Sequence, residues 1–247
     1  MAILLSADFH GNNSNSEFYG VSEKRLKRKY SDIYNKITYH IILGDGGFQT
    51  PQKGITDYYK SLSRRQFPIL SVIGNHEPIL GMGDLKEADK KIGDTVYMIK
   101  EEFPYIAYLK RGKVYNIDGF KFLVLGGGLS IYKDKEKKEI KCEQGNWSEQ
   151  EEQDLFKLLE TESTFDYVLS HTGPHRINKI LFKKKIDSIN EIDKVALMND
   201  KIDEKIQCIG WWCGHWHENK EYHDEETGRL YNYLDKSLTT KILNKNG

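Results

Sequence analysis

Short apolar runs that end abruptly in glycine and polar residues dominate the chain. The clearest is residues 69–73, Ile-Leu-Ser-Val-Ile, which is followed at once by Gly74, Asn75, His76 and Glu77. An apolar run of this length, bounded by turn residues, is typical of a buried strand. In an α/β sheet, the loop beyond the carboxyl end of a strand is the usual place for a ligand. The pattern therefore predicts a strand that leads directly into a functional site.

The same layout recurs four more times along the chain. The further apolar segments span residues 2–7, 39–43, 167–170 and 208–213. Each ends in residues that can bind metal or move protons, and the five strand ends hold five of the eight histidines. Scattered histidines would not collect at such positions, so the pattern indicates a shared site. Its candidate residues are Asp8, His10, Asp45, Asn75, His76, His171, His215 and His217.

The segments between these strands carry weaker signals. Helical spacing and capping residues predict helices at residues 22–35, at 57–65, from Ser148, and within 178–203. Residues 81–115 favour a polar helix followed by a short strand near 106–109. Asp118-Gly119 predicts a hairpin turn between two strands. The tail from residue 236 is interpreted as an edge strand or a loosely held segment.

Composition narrows the class of protein. The 247 residues suffice for a single α/β domain over residues 1–247. Lysine and arginine together number 37, as do aspartate and glutamate, so zero net charge gives no overall attraction to nucleic acid or anionic membrane. Three cysteines without a CxxC pair favour a reducing, cytoplasmic location. No segment approaches the roughly 20 apolar residues of a membrane span, and the sequence predicts no oligomeric state.

The candidate ligands are oxygen and imidazole donors without a thiolate. This set favours manganese, iron or zinc in a catalytic site over a structural zinc cluster. If Asp-x-His and His-x-His lie on extended backbone, alternate side chains point to the same side and reach one pocket. Apart from His76, the candidates number seven, too many for one tetrahedral ion but suited to two ions that share a bridging carboxylate. Two ions about 3.5–4 Å apart can hold a hydroxide that attacks a phosphoryl group.

A proton donor for the leaving alkoxide is also required. His76 is the natural candidate, because Asn75 beside it would hold it against the metal pair. Asn75 and His76 thereby combine a ligand and a general acid in one strand end.

The motifs, taken in order, resemble those of the calcineurin-like metallophosphoesterase superfamily. They read D-x-H-G-N from Asp8, G-D at Asp45, G-N-H-E through His76, H-T-x-P from His171, and G-H-x-H ending at His217. They span most of the chain, and five motifs in order are far more specific than one. The resemblance implies an α/β fold, a four-layer α/β/β/α sandwich of two mixed sheets flanked by helices. It also implies a dimetal site and a phosphate mono- or diester substrate.

The resemblance further implies a role for each residue. The first ion would be bound by Asp8, His10, Asp45 and His217. Asp45 would bridge to a second ion, whose other ligands would be Asn75, His171 and His215. His76 would act as general acid, and Asn12 and Glu77 would orient ligands. Manganese is the preferred metal, with iron and zinc as alternatives.

The chain also departs from the family pattern. Protein phosphatases of the family usually carry an aspartate shortly after G-D and then an arginine, but residues 46–49 read Gly-Gly-Phe-Gln. This argues against protein serine/threonine phosphatase activity and leaves the orientation of His76 to Glu77 or another partner. His175 and Arg176 could meet the substrate or lie in solvent. Trp211, Trp212 and Trp216 are interpreted as core residues, although they could also wall the pocket.

Two alternative functions remain open. A nuclease or cyclic-nucleotide phosphodiesterase of the same fold would use the lysine-rich residues 24–29, 133–138 and 183–185 to contact the phosphate backbone. A nucleic-acid partner is not otherwise indicated by the sequence. A non-catalytic metal-binding scaffold would be expected to have lost ligands, and none of the seven is missing here.

Overall fold

A computed structural model describes the protein over nine ranges of residues. They are 1–10, 23–48, 59–60, 62–77, 85–133, 139–142, 145–189, 191–235 and 241–243. The expectation for Asn12, and parts of the expectations for residues 22–35, 57–65 and 81–115, lie outside these ranges. The described chain forms two mixed sheets, a short two-stranded ribbon and flanking helices.

The first sheet has seven strands. They are β1 (Ala2–Ser6), β2 (Ile37–Ile42), β3 (Ile69–Ser71), β4 (Glu87–Ala88), β5 (Val96–Met98), β6 (Ile106–Leu109) and β15 (Lys241–Leu243). Their order is β15-β1-β2-β3-β6-β5-β4, and the four central strands, β1, β2, β3 and β6, run parallel. β15 pairs antiparallel with β1 at the edge of the sheet, so of the two alternatives given for the tail, residues 241–243 form the edge strand.

The second sheet has six strands. They are β7 (Lys113–Ile117), β8 (Phe120–Val124), β11 (Tyr167–Leu169), β12 (Gly210–Cys213), β13 (Lys220–His223) and β14 (Leu230–Tyr233). The order is β13-β14-β12-β11-β8-β7, with parallel strands in the centre and an antiparallel strand at each edge. The ribbon consists of β9 (Ser130–Lys133) and β10 (Glu139–Cys142).

Bounds can be given for four α-helices, and residues 59–60 and 62–63 are also helical, in agreement with the helix predicted at 57–65. The four are α1 (Glu23–Lys29), α2 (Glu149–Thr161), α3 (His175–Asp187) and α4 (Lys194–Asp203), and a 3-10 turn spans Tyr34–Lys36. The predicted start of α2 is confirmed, since Ser148 and Glu151 form the reciprocal hydrogen bonds of a capping box. The helix predicted over residues 22–35 ends earlier than expected, at Lys29.

The core lies in three apolar layers. Between the sheets, Ile3 and Leu70 of the first pack in one cluster with Phe122 and Leu169 of the second. The outer face of the second sheet is covered by α2, α3 and α4, and the outer face of the first by α1 and the 3-10 turn. The predicted four-layer α/β/β/α sandwich is therefore confirmed.

The polar helix predicted within residues 81–115 is wrong for the part that the structure describes. Residues 85–109 form the edge strand β4, its antiparallel neighbour β5 and the strand β6 instead. Antiparallel strands can keep one face in solvent, so a polar sequence suits them as well as a polar helix. Val96 supplies the buried side, while Glu87 stays exposed. Two or three residues per strand are too few to reveal a period of two in the sequence.

Candidate metal centre

The two sheets bring all eight candidate side chains to one edge of the sandwich. β1, β2 and β3 are parallel neighbours in the first sheet, and β11 and β12 are parallel neighbours in the second, so their carboxyl ends coincide. The loops beyond these ends are joined by backbone hydrogen bonds, from His10 N to Asp45 O (2.6 Å) and from Gly214 N to His171 O (2.9 Å). Gly127 N donates to Ile73 O (2.8 Å) and ties the second sheet to the first.

Three of the candidates form a group at the end of β1 and β12. His10 Nε2 lies 3.2 Å from His217 Nε2, and His217 Nε2 lies 3.7 Å from Asp8 Oδ1. Asp8 is fully buried, and both of its carboxylate oxygens accept from the backbone N–H of His215, at 3.1 and 3.0 Å. The two imidazoles are partly open to solvent, so this group combines a buried carboxylate with two accessible histidines.

Asp45 lies at the centre of the cluster. Its Oδ2 is 3.7 Å from His10 Nδ1, 3.3 Å from His171 Nε2 and 3.8 Å from His76 Nε2. Its Oδ1 accepts the backbone N–H of His76 at 2.9 Å. The buried carboxylate of Asp45 thus lies near a predicted ligand of the first ion, His10, and near one of the second ion, His171. It also accepts a hydrogen bond from the backbone of His76, the predicted general acid.

The remaining candidates meet at Asn75. Its Oδ1 lies 2.7 Å from His171 Nε2 and 3.2 Å from His215 Nδ1. His171 Nδ1 is 2.8 Å from the carbonyl oxygen of Leu43, which can only accept, so Nδ1 carries a proton. The other nitrogen of His171 therefore faces the oxygens of Asn75 and Asp45, in the orientation that a backbone-supported metal ligand adopts.

The protonation states of the cluster are strongly perturbed. Burial raises the pKa of Asp8 to about 8, and lowers the pKa of His10 to about 4 and of His215 to about 3. Burial also opposes charge on His171, but the Asp45 carboxylate outweighs it and raises the pKa of His171 to about 10. Burial would raise the pKa of Asp45, yet the surrounding imidazoles hold it below the usual range. Divalent cations would displace the protons that the raised pKa values leave on Asp8 and His171.

The backbone at the site is largely left-handed. Seven of the described non-glycine residues have positive φ, and five of those are candidate ligands. They are Asp8, His10, Asp45, His215 and His217. The prediction that Asp-x-His and His-x-His lie on extended backbone is therefore wrong, since β1 ends at Ser6 and β12 at Cys213. The side chains still reach one pocket, through a conformation that costs free energy and is concentrated at functional sites.

Two glycines of the motifs make room for the candidate ligands. A Cβ at Gly74 would lie 2.1 Å from Asp45 Oδ1 and 2.4 Å from Asp45 N. A Cβ at Gly214 would lie 2.7 Å from Asp8 Oδ2. In these two motifs, the glycine before the ligand is thus required by the close approach of a carboxylate from a different strand.

Glu77 supports the loops around Asp45. Its carboxylate accepts from the backbone N–H groups of Asp45 (3.0 Å), Gly47 (3.2 Å) and Gly74. It therefore positions a candidate ligand, as the resemblance implies. The hydrogen bond that holds the backbone of His76 comes from Asp45 rather than from Glu77.

The donor set fits divalent cations. Within each of the groups Asp8–His10–His217, His10–Asp45–His76 and Asp8–Asp45–His171, one ligand atom per residue lies within 4.8 Å of the others. Two ligands about 2.0–2.2 Å from one ion lie at most about 4.4 Å apart. The individual separations given above, 2.7–3.8 Å, all fall below this limit.

A cavity of about 370 Å³ opens beside the cluster. Asp45, Asn75, His76, His215 and His217 line it, and His175 and Trp216 are also in its wall. Of the residues left open by the sequence, Arg176 instead pairs with Asp203 (2.6 Å) and Asp224 (2.9 Å). Trp211 and Trp212 belong to the core, as predicted.

The sequence matches the family Calcineurin-like phosphoesterase over residues 1–219. The chain belongs to this family. No curated protein matches it. Among solved structures, a dimetal phosphatase from Danio rerio shares 14% identity over 98% of this chain and 91% of its own, with a TM-score of 0.50. A protein designated a 5′-nucleotidase from Staphylococcus aureus, solved with alpha-ketoglutarate, shares 14% identity over 98% of this chain and 50% of its own, with a TM-score of 0.49.

Membership of the calcineurin-like phosphoesterase family and the His/Asp cluster together identify a phosphoesterase fold with groups that can bind divalent metal. In the part of the chain that the structure describes, no helix has the length and apolar character needed to cross a bilayer. Beyond the ligands, the sequence pointed only to His175 and Trp216 as possible parts of the cavity wall. Most of the other wall residues lie on α3, on α4 and between them, where no motif marks them.

Proposed function

We propose that this calcineurin-like phosphoesterase hydrolyses phosphate mono- or diesters with the help of two divalent metal ions. The observation that carries the proposal is the convergence of Asp45 and six further donor side chains, from five strand ends in all, beside a cavity. Asp8, His10 and His217 would hold one ion, Asn75, His171 and His215 the other, with Asp45 shared by both. Oxygen and imidazole donors without a thiolate favour manganese, iron or zinc, of which manganese is the metal that the family resemblance prefers.

When bound, the two ions would activate a water molecule and neutralise charge on the phosphoryl oxygens. The protein supplies the rest. His76 lines the cavity with its side chain partly exposed, while Asp45 Oδ1 fixes its backbone. This position lets His76 donate a proton to the oxygen of the leaving group. The buried carboxylates of Asp8 and Asp45 keep negative charge beneath the ions.

The proposal is tested with protein loaded with manganese and verified by elemental analysis. p-Nitrophenyl phosphate and bis(p-nitrophenyl) phosphate report monoesterase and diesterase activity, respectively. We expect turnover of at least one of them, and Asp45→Ala should lose both metal and turnover. If the protein holds two equivalents of metal and hydrolyses neither ester, the non-catalytic scaffold becomes the better account.

The nuclease alternative gains no support from the described wall of the cavity. None of the described residues that line it is lysine or arginine. A nuclease would be expected to contact the phosphates on either side of the scissile bond with such cations. A steep salt dependence of DNA or RNA binding would reverse this conclusion.

A further inference from the structure

Helix α3 is kinked where it contacts the loop that carries two candidate ligands. Its backbone angles at Phe182 are non-helical (φ −126°, ψ 27°). Beyond this kink, Ile186 and Ile189 line the cavity beside the candidate metal centre. The loop, residues 214–218, follows β12 and holds the last two candidate ligands of the chain. A helix segment that carries no motif therefore lies against part of the metal centre.

The side chain of Trp216 contacts both the kink and a candidate ligand. Its ring stacks on Phe182, with centroids 4.9 Å apart and planes 10° from parallel. It also meets the imidazole of His215 edge to face, with centroids 5.3 Å apart and planes at 79°. The tryptophan is only 9% exposed, and none of the described residues hydrogen-bonds its indole nitrogen. Packing rather than a hydrogen bond therefore holds the indole ring in place.

Phe182 is in turn held by the second sheet. The ring of Tyr233 on β14 packs against it edge to face, with centroids 5.0 Å apart and planes at 69°. Lys220 on β13 places its Nζ 4.5 Å from the centroid of the Phe182 ring and donates to the carbonyl oxygen of Leu181 at 2.6 Å. Because the sheet fixes the buried Phe182 ring, this ring offers Trp216 a rigid surface.

A second contact fixes the backbone of the loop. Lys185, which follows the kink, donates from Nζ to the carbonyl oxygen of Trp216 at 2.8 Å and pairs with Glu218 at 2.6 Å. This carbonyl belongs to the peptide bond that leads into His217. The loop needs such support, because His215 and His217 have left-handed backbone, with φ of 72° and 53°. That conformation persists only where the surroundings enforce it.

We propose that the kinked helix α3 positions two metal ligands, His215 and His217, through the residue between them, Trp216. The inference rests on the proposed function, which assigns His217 to one ion and His215 to the other. Phe182 acts on the imidazole of His215 through the indole ring. Lys185 acts on the backbone that leads into His217. Both are positioning residues, since each acts through Trp216.

The first test removes the ring that supports Trp216. Phe182→Ala should weaken one of the two manganese equivalents by about 10–100-fold in a calorimetric titration, as the loss of a residue that orients a ligand typically does. It should also change the visible absorption of the cobalt-loaded protein, which reports the geometry of the ligands. If Phe182→Ala does not fold, Phe182→Leu keeps most of the apolar volume without the flat ring and should weaken the same equivalent.

Phe165→Ala is the matched control. Phe165 packs in the same apolar cluster as Phe182 and is similarly buried, at 4% against 3% exposure. It precedes β11, however, and so lies at the amino end of this strand, away from the carboxyl end that leads to His171. The control should lose comparable stability but keep the manganese affinity and the cobalt spectrum of the wild type.

The second test addresses the contact with the carbonyl. Lys185→Met removes the ammonium but keeps most of the apolar stem, and should weaken the other manganese equivalent by about fivefold. Lys185→Arg retains a charged donor and should restore the affinity. Lys184→Met changes the neighbouring exposed lysine and should have no effect.

Wild-type affinity and cobalt spectrum in a folded Phe182 variant, or an equal loss of affinity in Phe165→Ala, would overturn the inference. Wild-type affinity in Lys185→Met would overturn the role proposed for Lys185. Because affinity is measured separately from turnover, a wild type that binds two ions and hydrolyses no ester would refute the proposed function alone. A wild type that binds no manganese would overturn both.

Discussion

Gly74→Ala should disable the candidate metal centre without changing any ligand. The added Cβ would lie 2.1 Å from Asp45 Oδ1, and ordinary contact begins at about 3.4 Å, so the carboxylate oxygen would have to retreat by about 1.3 Å. A side-chain rotation of Asp45 alone would not relieve the clash, because the backbone N of Asp45 is only 2.4 Å from the same Cβ. The residues of a binding or catalytic site tolerate displacements of about 0.5 Å, and a displacement near 1 Å can lower the rate about 100-fold.

The assay measures bound manganese by elemental analysis and kcat/KM with p-nitrophenyl phosphate. Gly74→Ala should bind the metals more weakly and lose at least about 100-fold in kcat/KM, while circular dichroism confirms the fold. Gly128→Ala is the matched control, since its Cβ would meet nothing closer than 3.5 Å and the nearest group is His215 itself. Two metals bound at wild-type affinity with turnover within threefold in Gly74→Ala would refute the reasoning.

Three further predictions concern the proposed proton donor, the pH dependence of manganese binding and the free energy of unfolding. His76→Ala should retain both metals, because alanine keeps the backbone N–H that Asp45 accepts, and should lower kcat by about 10²–10⁴-fold; loss of metal in elemental analysis would contradict this. Manganese affinity, measured by calorimetry, should fall as the pH is lowered from 8 to 6, by about tenfold per pH unit for each proton displaced. The sign follows from Asp8 and His171, whose pKa values of about 8 and 10 mean that both must release protons to bind metal. Ser148→Ala should lower the free energy of unfolding by about 1 kcal/mol through the lost cap of α2 and leave kcat unchanged; an equal denaturation midpoint would disprove the contribution of the cap.

The strands that carry the site could be predicted because each combines two strong local signals. An apolar run such as residues 69–73 is followed directly by glycine and a polar cluster, and the structure has β3 at Ile69–Ser71. The turn at Asp118-Gly119 was equally clear, because Asp-Gly is the dipeptide that hairpin turns with positive φ favour. In the structure both residues have positive φ, 53° and 80°. Local chemistry determines these features, so the sequence alone reveals them.

Other features depend on contacts between distant residues and left no local signal. The left-handed backbone at His215 and His217 is imposed by the meeting of two sheets, whereas the sequence pattern suggested extended strands. The cavity wall at Ile186 and Ile189 depends on the kink at Phe182, a residue with no proline or glycine beside it. Neither feature could be read from spacing, because both arise from tertiary packing.

The two carboxylate oxygens of Asp45 make different contacts. Oδ2 faces the imidazoles of His10 and His171, and Oδ1 accepts the backbone N–H of His76. If Asp45 bridges two ions as proposed, the carboxylate that joins them also fixes the backbone of the proposed proton donor, so a displacement of Asp45 would disturb both parts of the site together. A protein that carries only one ion should then have little activity. A titration of activity against bound metal should therefore rise mainly with the second equivalent.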